Sequence, residues 1–396
     1  MDLKSLALSL GIESYPEKFE KIYNSIDLAS TDLCSVEAVK KFDMEYNAFG
    51  EQISVVIKGA EDIVTKPELV AWLNIASHYL KDCTAEEAYQ IPFPDDDTSP
   101  AGSTVRIFAL MSAVPRCIRT FKEHGFSDGE ILPTFKCFGL SINVVGLLTG
   151  TYGINKRYYN WILHYILCEM FDYGSLNFQF LKMVYPFTVL KNRKDGSHVI
   201  LMTEGVFHRS GEVLGSPGYT DEDGSFPADF AETDDAYIGR RAVYGKALNE
   251  LLEYKKSEWE CVVKKDDFVV SVHIPRKTDL SPEAILKSYN GAIKIVRERF
   301  PEYDARYFFC LSWILDVRYK DILGEDAKMV QFASTFSRIP MKCRGRDGSD
   351  CVFLGYKGPD ENLPENTSLQ RKLKSIYLSG GYTYSAMGVV TDYPIN

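Results

Sequence analysis

Two side chains in the C-terminal half, His273 and Cys310, are of types that can carry out group-transfer chemistry. Histidine has an unperturbed pKa near neutrality, so His273 can take a proton from an amine nucleophile. The thiol of Cys310 can act as a nucleophile once it is ionised. Each residue also has a structural explanation, because a strand-end histidine can hydrogen-bond to backbone and a cysteine can fill a core. Residue type alone leaves both explanations open.

A strand, a helix and a second strand are predicted to position these residues. The first strand, Phe268–Ile274, is rich in β-branched residues and contains His273. The helix begins after Ser281, a good N-cap that is followed by proline at the first helical position. In the second strand, Tyr307–Leu315, alternation puts Cys310 and Ser312 on one face. This order predicts a right-handed crossover between two parallel strands.

The N-terminal half reads as mostly helical. Apolar residues recur at helical spacing in Pro67–Tyr79, Ser103–Glu123 and Tyr158–Phe171, and Pro115 predicts a kink or a new helix in the second of these. Around Met183 the period changes to that of strands. The sequence therefore predicts an α+β fold, with a helical domain over residues 1–182 and a mixed α/β domain over residues 183–396, each with its own core.

The turn-rich segment between residues 263 and 268 predicts a local hairpin. Ser257–Val263 and Phe268–Ile274 both read as strands, and charged residues 264–267 separate them. We expect these two strands to pair with each other.

Composition limits the class of protein. The 396 residues carry a formal net charge of -10, and no long Lys/Arg run gives a nucleic-acid footprint. Nine scattered cysteines without a CxxC pair indicate free thiols in a reducing cytoplasm and give no support for a zinc site. The N-terminus lacks the features of a signal peptide, and the apolar stretch 137–154 is interrupted by small and polar residues, which favours a buried helix over a membrane span.

Several ordered segments resemble a known family. They are similar to bacterial acyltransferase-domain proteins, which join a helical N-terminal acyltransferase domain to a GNAT-like C-terminal domain. The segments that carry the resemblance are Trp161, Phe171–Gln179, Ser271–Pro275, Phe300–Glu302, Phe309–Leu315, Thr367–Leu373 and Gly380–Tyr382.

The resemblance implies an acyl-CoA-dependent N-acyltransferase that modifies a small-molecule or peptide amine. In a GNAT core, two parallel strands part and the pantetheine of acyl-CoA lies between them, while the pyrophosphate sits at the start of the crossover helix. On this mapping His273 ends a strand beside the parting and is the candidate base, with Cys310 on the neighbouring strand, and the resemblance implies Tyr319 as the acid that protonates the leaving thiolate. The candidates for cofactor contacts are Arg276, Lys277, Ser312 and Arg371.

The loop before the crossover helix departs from the family pattern. Such loops carry glycines that let backbone approach a phosphate, whereas residues 276–283 contain no glycine and include Asp279 and Glu283. A second hypothesis is therefore a binding or regulatory module that keeps the fold without the chemistry. A third is a transferase that uses Cys310 as the nucleophile and His273 as its base.

Overall fold

The first unit of the chain, Met1–Phe171, is built from α-helices. The computed structural model describes residues 1–95 and 98–395. Within that range the helices of this unit are α1 (Leu3–Ser9), α2 (Lys18–Tyr23), α3 (Val36–Tyr46), α4 (Ile53–Ile63), α5 (Pro67–Asp82), α6 (Ala85–Tyr89), α7 (Pro100–Glu123), α8 (Asp128–Ile131), α9 (Cys137–Thr149) and α10 (Lys156–Ile166).

Helices α5 and α7 lie in the core of this unit. Each begins with proline at its first position, where a missing N–H costs no hydrogen bond. Trp72 of α5 is fully buried, and its Nε1 donates to the carbonyl oxygen of Pro92 at 2.8 Å. Pro115 predicted a kink or a new helix, and of these two no new helix begins there, since α7 continues through it as one helix of 24 residues. Burial of most of α7 stabilises the helix against the lost hydrogen bond.

One helical stretch among the described residues, Asp128–Thr149, is long and apolar enough by composition to cross a membrane, and 50% of its most apolar window is buried inside the protein. Within residues 1–95 and 98–395, no cluster of three or more His, Cys, Asp or Glu side chains could hold a metal ion.

The second unit, Asp172–Asn396, combines strands and helices. Its strands, the first of which begins just before the unit, are β1 (Met170–Tyr173), β2 (Leu176–Lys182), β3 (Phe187–Asn192), β4 (His198–Met202), β5 (Val206–Phe207), β6 (Phe226–Pro227), β7 (Ala231–Glu232), β8 (Ala236–Val243), β9 (Lys246–Lys255), β10 (Trp259–Val263), β11 (Phe268–His273), β12 (Phe308–Ser312), β13 (Ser337–Ile339) and β14 (Ala386–Val390). Its helices are α11 (Pro282–Arg299), α12 (Tyr319–Leu323), α13 (Lys328–Ser334), α14 (Ser349–Phe353) and α15 (Ser368–Leu378).

The first sheet of this unit has the strand order β1-β2-β11-β12-β14-β13. Strands β11 and β12 are parallel and are joined by α11, so the predicted strand–helix–strand crossover is confirmed. On one face of this sheet, the ring of Tyr289 from α11 stacks on Phe308 of β12, with centroids 5.0 Å apart.

The second sheet packs against the opposite face of the first. Its strands follow the order β10-β3-β4-β8-β7, and β9 pairs with β8. Buried residues of both sheets share one hydrophobic core, including Val189 and Met202 from the second sheet and Val269 and Phe309 from the first.

The predicted hairpin over residues 257–274 is wrong. Strand β10 pairs with β3 in the second sheet, whereas β11 pairs with β2 in the first. The chain crosses from one sheet to the other at residues 264–267. Each strand therefore gains a partner that is distant in sequence, which a local turn pattern does not reveal.

The α+β class predicted from sequence is confirmed. The two units divide at Phe171/Asp172, whereas the change of period predicted a division at 182/183. The difference arises because Leu176–Lys182 is a strand that pairs along its whole length with β11. Helical and strand periodicity separated the two kinds of structure, but the first strand of the mixed unit lay too near the last helix to be distinguished.

Candidate functional site

Strands β11 and β12 part within the first sheet. Their register pairs Val270 with Phe308 and Ser271 with Phe309, and it ends there. Each strand continues to pair with its other neighbour, β11 with β2 to His273 and β12 with β14 to Ser312. We call the space between the two diverging ends the strand gap. Backbone N–H and C=O groups that face such a gap can hydrogen-bond an extended ligand in place of a strand.

Exposure changes along β12 at the start of the strand gap. Phe309 is 1% exposed, but Leu311, the next residue on the same face, is 38% exposed. An exposed leucine at the end of a central strand leaves apolar surface next to the gap, which suits the apolar part of a ligand.

His273 lies at the edge of the strand gap, as the last residue of β11. Its ring is partly buried, and Nε2 lies 2.8 Å from Oε1 of Gln179 on β2. Because an amide oxygen only accepts, Nε2 donates the proton and the neutral ring carries its lone pair on Nδ1. Gln179 thus orients the imidazole ring at the edge of the strand gap. This geometry fits the predicted role of His273, which stays a prediction.

Cys310 does not share a face with His273. Register places Ser271 beside Phe309, so alternation puts His273 on the face of Ser271 and Cys310 on the face that meets α11. The thiol is 1% exposed, and burial raises the pKa of Cys310 to about 12. A thiol that is neutral and turned away from the base has the environment of a core residue. The structure therefore gives no support to the Cys310–His273 pair.

Tyr319 lies beyond the end of β12, where its ring meets that of Trp313 with centroids 5.7 Å apart. It is 1% exposed and belongs to a hydrophobic cluster with Phe353 of α14 and Leu373 of α15. Burial raises the pKa of its phenol, and the hydroxyl has no hydrogen-bond partner among the described residues. A phenol whose hydroxyl is buried in this cluster has the environment of a core residue, so the expected acid role is not supported.

The start of α11 already carries a carboxylate. Oδ1 of Asp279 accepts from the backbone N–H of Ser281 at 3.0 Å, and Nζ of Lys328 lies 2.9 Å from the same oxygen. The hydrogen bonds from Lys328 and Ser281 lower the pKa of Asp279 to about 2, so it is ionised at neutral pH. The positive end of the helix is therefore partly neutralised by a protein anion, as the sequence indicated.

Lys328, the first residue of α13, was missed by sequence reasoning. It comes to the start of α11 from 49 residues away in the chain, and no local pattern announces it. A cavity of about 280 Å³ lies between α11 and α13, lined by Pro282, Tyr289 and Phe332 among others. This apolar cavity and Lys328 lie at the helix end where a nucleotide is expected.

The four residues expected to contact cofactor are divided by the structure. Arg276 and Lys277 are exposed in the loop that leads to α11, where a bound phosphate can meet them. Ser312 instead caps a short helical turn, with its Oγ accepting from the N–H of Ile314 at 3.2 Å. Arg371 lies on α15 and donates to the carbonyl oxygen of Glu365 at 2.8 Å. The last two have local structural roles.

A second cavity lies beyond the end of β12. It has a volume of about 140 Å³, and its walls include Glu212, Lys246, Arg318 and Tyr384. We call it the strand-end cavity. Sequence reasoning missed these residues because they come from four separate loops and strand ends. Only Asp316 and Arg318, which follow β12 after one short helical turn, had a detectable signal, namely charged residues after a buried strand.

Comparisons with solved structures show the same fold across nearly the whole chain. An acyltransferase in complex with decanoyl-CoA and teicoplanin is 17% identical, with a TM-score of 0.63 over 98% of this chain and 99% of that one. An acyltransferase in complex with decanoyl-CoA is 15% identical and has a TM-score of 0.63 over 99% of both chains. A third, in complex with CoA and 10C-teicoplanin, is 16% identical, with a TM-score of 0.63 over 98% and 99% of the two chains.

The sequence comparisons give one match. No curated protein matches the chain significantly. The family model described as the GNAT-like C-terminal domain matches residues 170–390, which is more than half of the chain and contains both sheets, the strand gap and α11. The resemblance noted in the sequence is thereby confirmed: the chain belongs to the family with a GNAT-like C-terminal domain.

Proposed function

We propose that this protein is an acyl-CoA-dependent N-acyltransferase. The observation that carries the proposal is the strand gap, which opens between parallel strands directly before the start of α11. The proposal is supported by the family match and by the shared fold of acyltransferases solved with decanoyl-CoA or CoA.

In this proposal the pantetheine of acyl-CoA lies in the strand gap and hydrogen-bonds the free backbone edges of β11 and β12. The acyl chain contacts the apolar surface at Leu311. The phosphates lie near the start of α11, where Arg276, Lys277 and Lys328 supply positive charge. Because Lys328 is shared with Asp279, we expect the phosphates to draw it away from that carboxylate.

The chemical step is attack of an amine on the thioester. The nitrogen of the neutral amine forms a bond to the carbonyl carbon, and the carbon–sulfur bond breaks. His273 takes the proton that the nitrogen loses, and CoA leaves as a thiolate that takes a proton from water. No separate acid is required, because a thiol pKa near about 8.5 makes the thiolate a good leaving group.

The state of the cysteines is relevant to the cellular compartment in which the protein works. None of the nine forms a disulfide within residues 1–95 and 98–395, and seven of them are buried. Free thiols are stable in a reducing environment, which supports our placing the protein in the cytoplasm.

The test is a single-turnover assay with octanoyl-CoA and a panel of primary amines, in which mass spectrometry detects the N-acyl product. We expect His273→Gln to slow product formation by about two to four orders of magnitude, because a general base contributes about that much. His78→Gln, at an exposed histidine of α5, is the matched control and should leave the rate unchanged.

The outcomes separate the hypotheses. An unchanged rate in His273→Gln removes this residue from the mechanism. If octanoyl-CoA binds but no amine is acylated at any pH between 6 and 9, the module without chemistry, favoured by the glycine-free loop, becomes the better account.

A further inference from the structure

The strand-end cavity presents opposite charges at one mouth. Glu212 and Lys246 form an ion pair at 3.1 Å across its wall, with side chains 19% and 46% exposed. Burial raises the pKa of Glu212, but hydrogen bonds from Ser210 and Lys246 more than offset this and leave that pKa below its usual value. Glu212 is thus a carboxylate at neutral pH that solvent still reaches.

A second pair of charges forms the rigid side of the cavity. The carboxylate of Asp316 is 4% exposed and accepts from Nε of Arg318 at 2.9 Å and from the N–H of Tyr384 at 3.1 Å. The guanidinium of Arg318 lies 3.7 Å from the ring centroid of Tyr384. The carboxylate of Asp316 is buried and hydrogen-bonded to protein groups. The side chain of Arg318 is 33% exposed and presents a fixed, planar cation to the cavity.

Two phenol rings complete the wall. Tyr219 and Tyr384 have ring centroids 5.6 Å apart, and burial raises the pKa of Tyr219 to about 12. Both rings therefore stay uncharged. The ring of Tyr219, beside Glu212, attracts an ammonium group through its quadrupole together with the neighbouring carboxylate, whereas the ring of Tyr384 already holds the Arg318 guanidinium.

The cavity also lies close to the strand gap. Ala386 lines the cavity and pairs with Ser312, the last residue of β12. On its other side β12 borders the gap. Neighbouring strands are about 4.8 Å apart, so the cavity and the gap are separated by about one strand width.

We propose that the strand-end cavity binds the acceptor, and that this acceptor is a small zwitterion whose primary amine lies against Glu212 and the ring of Tyr219 and whose anionic group lies against Lys246 and Arg318. That the ligand is an acceptor rests on the proposed acyl transfer, whereas the binding of a zwitterion rests only on the charges of the cavity.

The test uses three probes of equal chain length: 4-aminobutyrate, n-butylamine and butyrate. Ligand-observed NMR titration of the full chain, without acyl-CoA, measures their affinities. We expect 4-aminobutyrate to bind at least about tenfold more tightly than either probe with one charge. Glu212→Gln should remove the preference for the amine, and Lys246→Ala should weaken the preference for the carboxylate.

Glu232 and Lys256 provide the matched control. They form an exposed ion pair at 2.7 Å in the same sheet, so Glu232→Gln and Lys256→Ala should leave all three affinities unchanged. Equal affinity for the three probes, or equal effects of the control variants, overturns the cavity assignment.

Failure of this inference is distinguishable from failure of the proposed function. If octanoyl-CoA binds and an amine is acylated while the cavity variants leave that amine's KM unchanged, the acceptor lies elsewhere and acyl transfer stands. If 4-aminobutyrate binds as expected but no acyl-CoA binds, acyl transfer falls and with it the description of this ligand as an acceptor.

Discussion

Replacing Asp279 by asparagine is expected to strengthen binding of CoA. The carboxylate bonds the N–H of Ser281 at 3.0 Å and holds Lys328 at 2.9 Å, so it occupies the positive end of α11 that a phosphate needs. Its pKa of about 2 means that the substitution removes a full negative charge at neutral pH. Asparagine keeps an oxygen for Ser281, and Lys328 is released to meet the phosphate.

The size of the effect follows from the position of the charge. One charge in the first turn of an exposed helix changes the affinity for an anion by about two- to fivefold at low salt. Because the screening length falls from about 8 Å at 0.15 M salt to about 3 Å at 1 M, the gain should shrink markedly at high salt.

Calorimetric titration with CoA at both salt concentrations measures this effect. Asp304→Asn is the matched control, since Asp304 follows the other end of α11 and pairs with Arg306 at 3.0 Å. Weaker binding in Asp279→Asn, or an equal gain in Asp304→Asn, would refute the placing of the phosphates at the start of this helix.

Three other predictions concern single side chains. Cys310→Ala should leave kcat within about twofold and lower the free energy of unfolding by about 1–2 kcal/mol, because the thiol fills the core; loss of activity in a folded variant would restore it as a nucleophile. Tyr319→Phe removes a buried hydroxyl without a partner, so stability should stay equal or rise by about 1 kcal/mol with kcat unchanged, and a tenfold loss of kcat would contradict this. Burial and the charge of Lys191 lower the pKa of His198 in the folded protein, although Asp392 acts in the opposite direction. The unfolded chain therefore binds more protons than the folded one, and the free energy of unfolding should fall as the pH drops below about 6.5. Thermal unfolding of His198→Gln should show less of this pH dependence.

The crossover could be predicted from sequence because its signals are local. Ser281 and Pro282 mark the start of α11, and the apolar stripe that contains Ile285, Tyr289 and Val296 is buried as expected. The hairpin failed for the opposite reason. A turn pattern at residues 264–267 shows where the chain bends, but partners for β10 and β11 come from β3 and β2, which lie far back in the sequence.

The candidate site could be predicted only in part, because some of its features depend on local sequence and others on tertiary packing. His273 was placed at the end of its strand by position and by family resemblance. Whether Cys310 faces it depends on the register between β11 and β12, which alternation within one strand does not give. Tyr319 is enclosed by α14 and α15, and Lys328 reaches α11 from a distant helix, so their surroundings are set by tertiary packing.

Titration of the protein with octanoyl-CoA tests the central claim, that acyl-CoA binds in the strand gap, most directly. Leu311→Trp puts a bulky ring at the gap from a position that is 38% exposed, and Leu251→Trp makes the same change at a 47% exposed position of β9 in the other sheet. We predict binding of one octanoyl-CoA per chain by wild type and by Leu251→Trp, and binding at least about tenfold weaker by Leu311→Trp. No binding by wild type at millimolar concentration, or equal binding by all three, would contradict the account.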